Sequence, residues 1–154
     1  MSEPITKLPL LSKKNIKEVQ AKVDQALAKI KAAYGFDSVE LEADYIALFN
    51  DIMLNPKTMN KQQEPWKLVG GTAFQYVNGV ARWGEMKFEK DDDYKEAIQD
   101  VVGKNPKLII TVLPTEEGFY CKSKLTEGSI TLQIPKNKVG WNASDAGKDI
   151  ESLL

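Results

Sequence analysis

Between Ser12 and Gly35 the chain reads SKKNIKEVQAKVDQALAKIKAAYG, and its apolar residues recur every three or four positions, at Ile16, Val19, Val23, Ala26, Leu27, Ile30 and Tyr34. That spacing puts them on one helical stripe. Lysines fill much of the remainder, so the segment predicts a surface helix over 13–34 with one side buried. At 1.5 Å per residue it is about 33 Å long, and the rest of the chain must supply an apolar surface to cover it. Ser12 is placed to cap its start. Gly35 stands at the left-handed position that ends such a helix, with Phe36 folding back on the last turn.

After it, DSVEL alternates like a strand, while Leu41, Tyr45, Leu48, Phe49, Ile52 and Met53 keep a helical spacing. We expect a second helix over 43–54, with 38–42 either its first turn or a short strand. Asn55-Pro56 ends the pattern. The polar run 57–65 reads as a connector to a sheet.

Beyond the connector, WKLV, TAFQYV and VARWGEMKF are strand candidates, with Gly70-Gly71 as a turn or bulge between the first two. An Asn78-Gly79 turn of type I′ sets Phe74 opposite Trp83 and Gln75 opposite Arg82. A bulge at Gly84 then gathers Phe74, Tyr76, Trp83, Met86 and Phe88 on one face, which we read as core. DDDYKEAIQDVVG predicts a helix with Tyr94, Ala97, Ile98, Val101 and Val102 on its inner side. KLIITVL is apolar enough to run through the middle of a sheet. GFYCKSKL and SITLQI alternate as half-exposed strands joined by TEG, and Ser144 is placed to cap a last short helix.

The expected fold is α+β: an N-terminal helical pair, then a mainly antiparallel sheet (hairpin, helix, three-stranded meander) and a short C-terminal helix. The 154 residues make one domain. Its helical part covers 13–54, its sheet part with one helix 66–134, and its tail 135–154.

Two scarcities bound the chemistry. Histidine is absent, which removes the commonest general acid/base, the Ser-His and Cys-His nucleophile pairs, and imidazole metal ligands. Arg82 is the single guanidinium, whereas proteins that read DNA sequence lean on arginine. The net charge of −1 hides alternating blocks, with seven Lys against three acids in 1–35 and five acids against one Lys in 36–60. None is large enough for a strong nucleic-acid footprint. The aliphatic run LIITVL is far short of the ~20 residues of a membrane helix. MSEPITKLPLL lacks a secretory pattern, and Cys121 is alone, so a reducing cytosolic setting is expected.

The candidate constellations are few. Asp91, Asp92 and Asp93 suggest a divalent cation, yet acids favour a first helical turn in any case, and we read them as capping it. Gly70-Gly71 lacks the Gly-Lys-Ser/Thr of a phosphate loop. Cys121 has no histidine to activate it and reads as structural. Tyr120, Lys122 and Lys124 share one face of their strand, with Thr131 and Gln133 alongside. A ring flanked by ammonium groups on an open sheet is a way to hold single-stranded nucleic acid, and a lysine-rich solvated face is the other reading.

The stretch SKKNIKEVQAKVDQALAKIKAAYGFDSVEL resembles a pattern in small tailed-bacteriophage proteins, where a KxNIK…ALAxI helix stops at a glycine and a strand follows. The resemblance covers residues 12–41 and implies a phage or prophage origin, with no activity attached. The expected function is therefore a non-catalytic phage-type accessory or virion protein, not an enzyme, working in the host cytosol or the virion. Its partner would be another protein, host or phage, or a second copy, with no membrane, metal or cofactor. The alternative is a single-stranded nucleic-acid-binding module that uses Tyr120, Lys122 and Lys124.

Overall fold

The amphipathic lysine-rich segment forms the longest helix, α1 (Leu10–Tyr34), in the computed structural model, which describes residues 4–54, 69–103, 107–115, 118 and 120–154. Its end is the one expected: Gly35 has φ 79°, and the N–H groups of Gly35 and Phe36 both donate to the carbonyl of Lys31. Its start is not. Pro9 stands at the N-cap, and Ser12 lies buried inside the first turn.

A strand, β1 (Ser38–Ala43), follows, so the first two helices are not a contiguous pair. Asp44 then caps α2 (Tyr45–Leu54) by accepting the Ala47 N–H at 3.0 Å. The polar connector at 57–65 and residues 66–68 lie outside the described residues.

The largest correction concerns the aromatic stretch. Residues expected as a hairpin form one helix, α3 (Val69–Lys87). Val69, Ala73, Tyr76, Val77, Val80 and Gly84 recur at helical spacing and are buried. Three of the glycines that suggested turns and a bulge, Gly70, Gly79 and Gly84, serve close packing. A Cβ on Gly84 would meet the Tyr34 ring at 3.1 Å, and one on Gly79 would meet the Ala143 carbonyl oxygen at 2.5 Å. Tyr76 and Phe88 are fully buried as expected, and Phe88 lies edge-on to Tyr34 with ring centroids 4.6 Å apart. Met86 does not join them: it is 59% exposed. Trp83 is half-buried at the surface, where its indole N–H donates to the Ser144 carbonyl at 3.1 Å and the Lys148 ammonium stands over its ring.

Helix α4 (Asp92–Val102) begins as the sequence indicates, with the Asp91 carboxylate accepting the Asp93 N–H. Ile98 and Val102 face the core, but Val101 points outward. Strands β2 (Lys107–Thr115), β3 (Lys122–Thr126) and β4 (Ser129–Pro135) follow. The tail carries two short 3₁₀ turns, Ala143–Asp145 and Glu151–Leu153, in place of the expected helix.

The sheet runs β1-β2-β4-β3. The expected mainly antiparallel meander is replaced by a mixed, mostly parallel sheet: β1 and β2 are parallel, β2 and β4 are parallel, and only the β3–β4 hairpin is antiparallel. The chain leaving β2 passes over one strand position, lands at the far edge as β3, and returns beside β2 as β4. The uniformly apolar β2 is central, as its composition indicates, with β1 and β4 as neighbours. Helix α1 packs chiefly on α3. Residues from all four helices, β2, β4 and the tail share one core, from Val23 to Ile150. The fold is α+β, and among the described residues no helix is long and apolar enough to cross a membrane.

Candidate functional site: the outer face of the sheet

Strand alternation decides what this face carries. Leu108, Ile110 and Val112 of β2 and Ile130, Leu132 and Ile134 of β4 turn into the core and are completely buried. The residues between them turn outward, and the register lines them up across the strands. Glu42, Thr111, Thr131 and Lys124 make one row spanning β1, β2, β4 and β3. Glu40, Ile109, Ser129 and Thr126 make the row on one side of it, and Leu113, Gln133 and Lys122 the row on the other. None of these side chains belongs to the core, and each is half-buried or exposed.

The expected grouping of Lys122 and Lys124 with Thr131 and Gln133 is present: Lys124 pairs with Thr131 and Lys122 with Gln133. Both lysines are exposed and have no ion-pair partner among the described residues. Tyr120 is not in this ladder. It precedes β3, at a bend, and is 71% exposed.

Two features of the face were not anticipated. First, β1 brings Glu40 and Glu42 onto the same surface as the lysines. Glu40 pairs with Lys107 across the strands at 2.9 Å, while Glu42 has no ion-pair partner among the described residues. Second, Ile109 and Leu113 sit half-buried between the charged margins. The face is thus acidic at the β1 edge, where Lys107 of β2 offsets Glu40, basic at the β3 edge, and apolar with hydroxyl groups in the rows between. The alternation SVELEA holds the clue to the first feature, but the partner of β1 lies three helices away in sequence.

The edge beyond β3 is partly closed. The Ser123 N–H, which points away from β4, donates to the Asp149 carboxylate at 2.8 Å, so the tail stands where a further strand would pair. Cys121 lies against the core, and burial, with the Asp149 charge adding to it, pushes its thiol up to about 12. The thiolate that nucleophilic chemistry needs is scarce there. Among the described residues no group of three or more Cys, Asp or Glu converges to hold a metal ion. A concavity of about 400 Å³ lies where the tail crosses α3, lined in part by Gln75, Asn78, Arg82, Asn142 and Ser144. It is polar and shallow, and among the described residues that line it no acid or further base stands beside Arg82.

No family model, no curated protein and no solved structure matches the chain.

Proposed function

We propose that the chain is a non-catalytic binding protein that recognises another polypeptide through the outer face of its sheet. The observation that supports this is the composition of that face: Ile109, Leu113, Thr111 and Thr131 form an uncharged strip between an acidic and a basic margin. Charged groups at a rim around a less polar centre are the usual anatomy of a protein interface. Nucleic acid asks for something else. A phosphate backbone is drawn by a continuous basic surface, and Glu40 and Glu42 occupy the margin it would cross. Tyr120 also stands outside the lysine ladder, and among the described residues no stacking ring is set among the ammonium groups. With the resemblance of residues 12–41 to small phage proteins, this reading extends to an accessory or virion component.

The test is a photo-activated cross-linking residue at position 131, at the centre of the face, with the protein expressed in bacterial cells. A polypeptide adduct that is absent when the same residue stands at Lys17, on α1, supports the reading. An adduct with nucleic acid, or the same products from both positions, overturns it. In vitro, a single-stranded oligonucleotide at low salt should give no shift; a shift lost in Lys122→Glu/Lys124→Glu would establish the nucleic-acid alternative.

A further inference from the structure

We infer that the polypeptide this face takes is a second copy of the same chain, packed face to face about a two-fold axis that runs along the strands between β2 and β4. The inference rests on the proposed protein-binding role of the face and goes on to name the occupant.

The register carries the argument. In the row Glu42–Thr111–Thr131–Lys124 the two ends are opposite charges and the two middle residues are the same. A two-fold axis lying between two such faces, parallel to the strands, exchanges β1 with β3 and β2 with β4. Glu42 then stands opposite Lys124 of the second copy, Lys124 opposite its Glu42, and the two threonines opposite each other. This is the self-complementary arrangement that an isologous interface requires. Stacked sheets lie about 10 Å apart, a gap that an extended Glu and Lys close from the two sides. The neighbouring row brings Ile109 over Ser129 and Glu40 over Thr126, so no like charges meet there either.

The competing orientation is disfavoured by the same row. An axis across the strands would set Glu42 against Glu42 and Lys124 against Lys124, and like charges brought together at an interface are costly. A face that distinguishes the two orientations this sharply is suited to one occupant of matching size and opposite polarity, which the chain itself is. Four strands about 4.8 Å apart present a narrow patch, at the low end of specific interfaces. The dimer is accordingly a reversible one.

Sedimentation equilibrium of the full chain over a micromolar to submillimolar range tests this. The expected result is a monomer–dimer equilibrium. Glu42→Lys and Lys124→Glu, both exposed positions that leave the core untouched, should each weaken it about tenfold or more, because two charge pairs are lost per dimer. The double variant Glu42→Lys/Lys124→Glu restores complementarity and should return to the wild-type constant, which no general loss of fold would do. A strict monomer, a dimer indifferent to both single changes, or a double variant no better than the singles overturns the inference. The wider reading fails separately. A position-131 adduct with a different polypeptide removes the second copy and keeps the face, whereas an adduct with nucleic acid removes both.

Discussion

The backbone of Gly70, in the first turn of α3, rests directly on Ile16 of α1: a Cβ on Gly70 would stand 2.7 Å from the Ile16 Cα and 2.9 Å from its nitrogen. Its neighbour Gly71 has nothing within 4 Å of the same point. Two adjacent helical glycines therefore have opposite reasons to be where they are. Gly70→Ala must push two helices apart and should cost about 2 kcal/mol, an overpacking effect that outweighs the gain in helix propensity. Gly71→Ala meets no obstacle and should gain up to about 1 kcal/mol from propensity. Urea denaturation of the two variants checks this, and equal shifts in one direction would refute the packing.

The same contact includes a cap supplied from another helix. The Asn15 side-chain oxygen accepts the N–H groups of Gly70 and Gly71 at 2.7 and 3.0 Å. Asn15→Ala orphans both at the start of α3 and should cost about 1–2 kcal/mol. Asn15→Asp keeps the acceptor oxygen that both N–H groups use and adds a negative charge where the helix dipole favours one, so it should keep most of that stability. A thermal melt in which the two variants fall together would show that the capping bond is not what Asn15 contributes.

These glycines also explain which parts of the fold were legible. α1 announces itself because its apolar period, its lysine faces and Gly35 all agree. β2 announces its central place by being apolar throughout. α3 carries a helical period just as real, in Val69, Ala73, Tyr76, Val77, Val80 and Gly84. It was masked because Asn78-Gly79 and two further glycine sites favour turns locally, and only the tertiary neighbours Ile16, Tyr34 and Ala143 show why small residues are needed. The order of the sheet was hidden for a different reason. Local connection length speaks for hairpins, and nothing between Ala43 and Lys107 states that β1 returns to lie beside β2. Half of the outer face, the lysine ladder with Thr131 and Gln133, could be read from the TEG hairpin. The half on β1 could not, since its place follows from a long-range parallel pairing.

Asp51 should give the protein an unusual pH term. Its side chain is buried on α2, and burial raises its carboxyl above the ordinary range, although the backbone N–H groups of Asn137 and Val139 and the charge of Lys136 pull the other way. A raised folded value means that the folded chain holds this proton more tightly than the unfolded one. The stabilisation is therefore complete below the ordinary carboxylate range and is lost as pH rises through the folded value, opposite in sign to a salt-bridged aspartate. Asp51→Asn removes the titration. Its stability deficit relative to wild type should be largest in acid and narrow as pH increases. Parallel stability curves for the two proteins between pH 3 and 7, the region about the ordinary Asp value, would contradict this.

Cys121 offers a check on the non-catalytic reading that needs no partner. A thiol raised from 9.0 to about 12 has roughly a thousandth of the ordinary thiolate at pH 8, since each unit is a factor of ten. The thiolate is the species that attacks a disulfide reagent or an alkylating agent. Labelling of the folded protein at pH 8 should thus run at least about a thousandfold below that of the urea-unfolded chain, with partial burial slowing it further. The rate should climb about tenfold per pH unit until the fold itself gives way. Asp149→Asn should shift the profile toward lower pH, because it removes the carboxylate that holds the Cys121 thiol up beyond burial alone. It also leaves the Ser123 N–H with an oxygen acceptor, so the β3 edge stays closed. Fast labelling of the folded chain at neutral pH would mean an activated thiolate, and with it a nucleophile that this arrangement of residues does not provide.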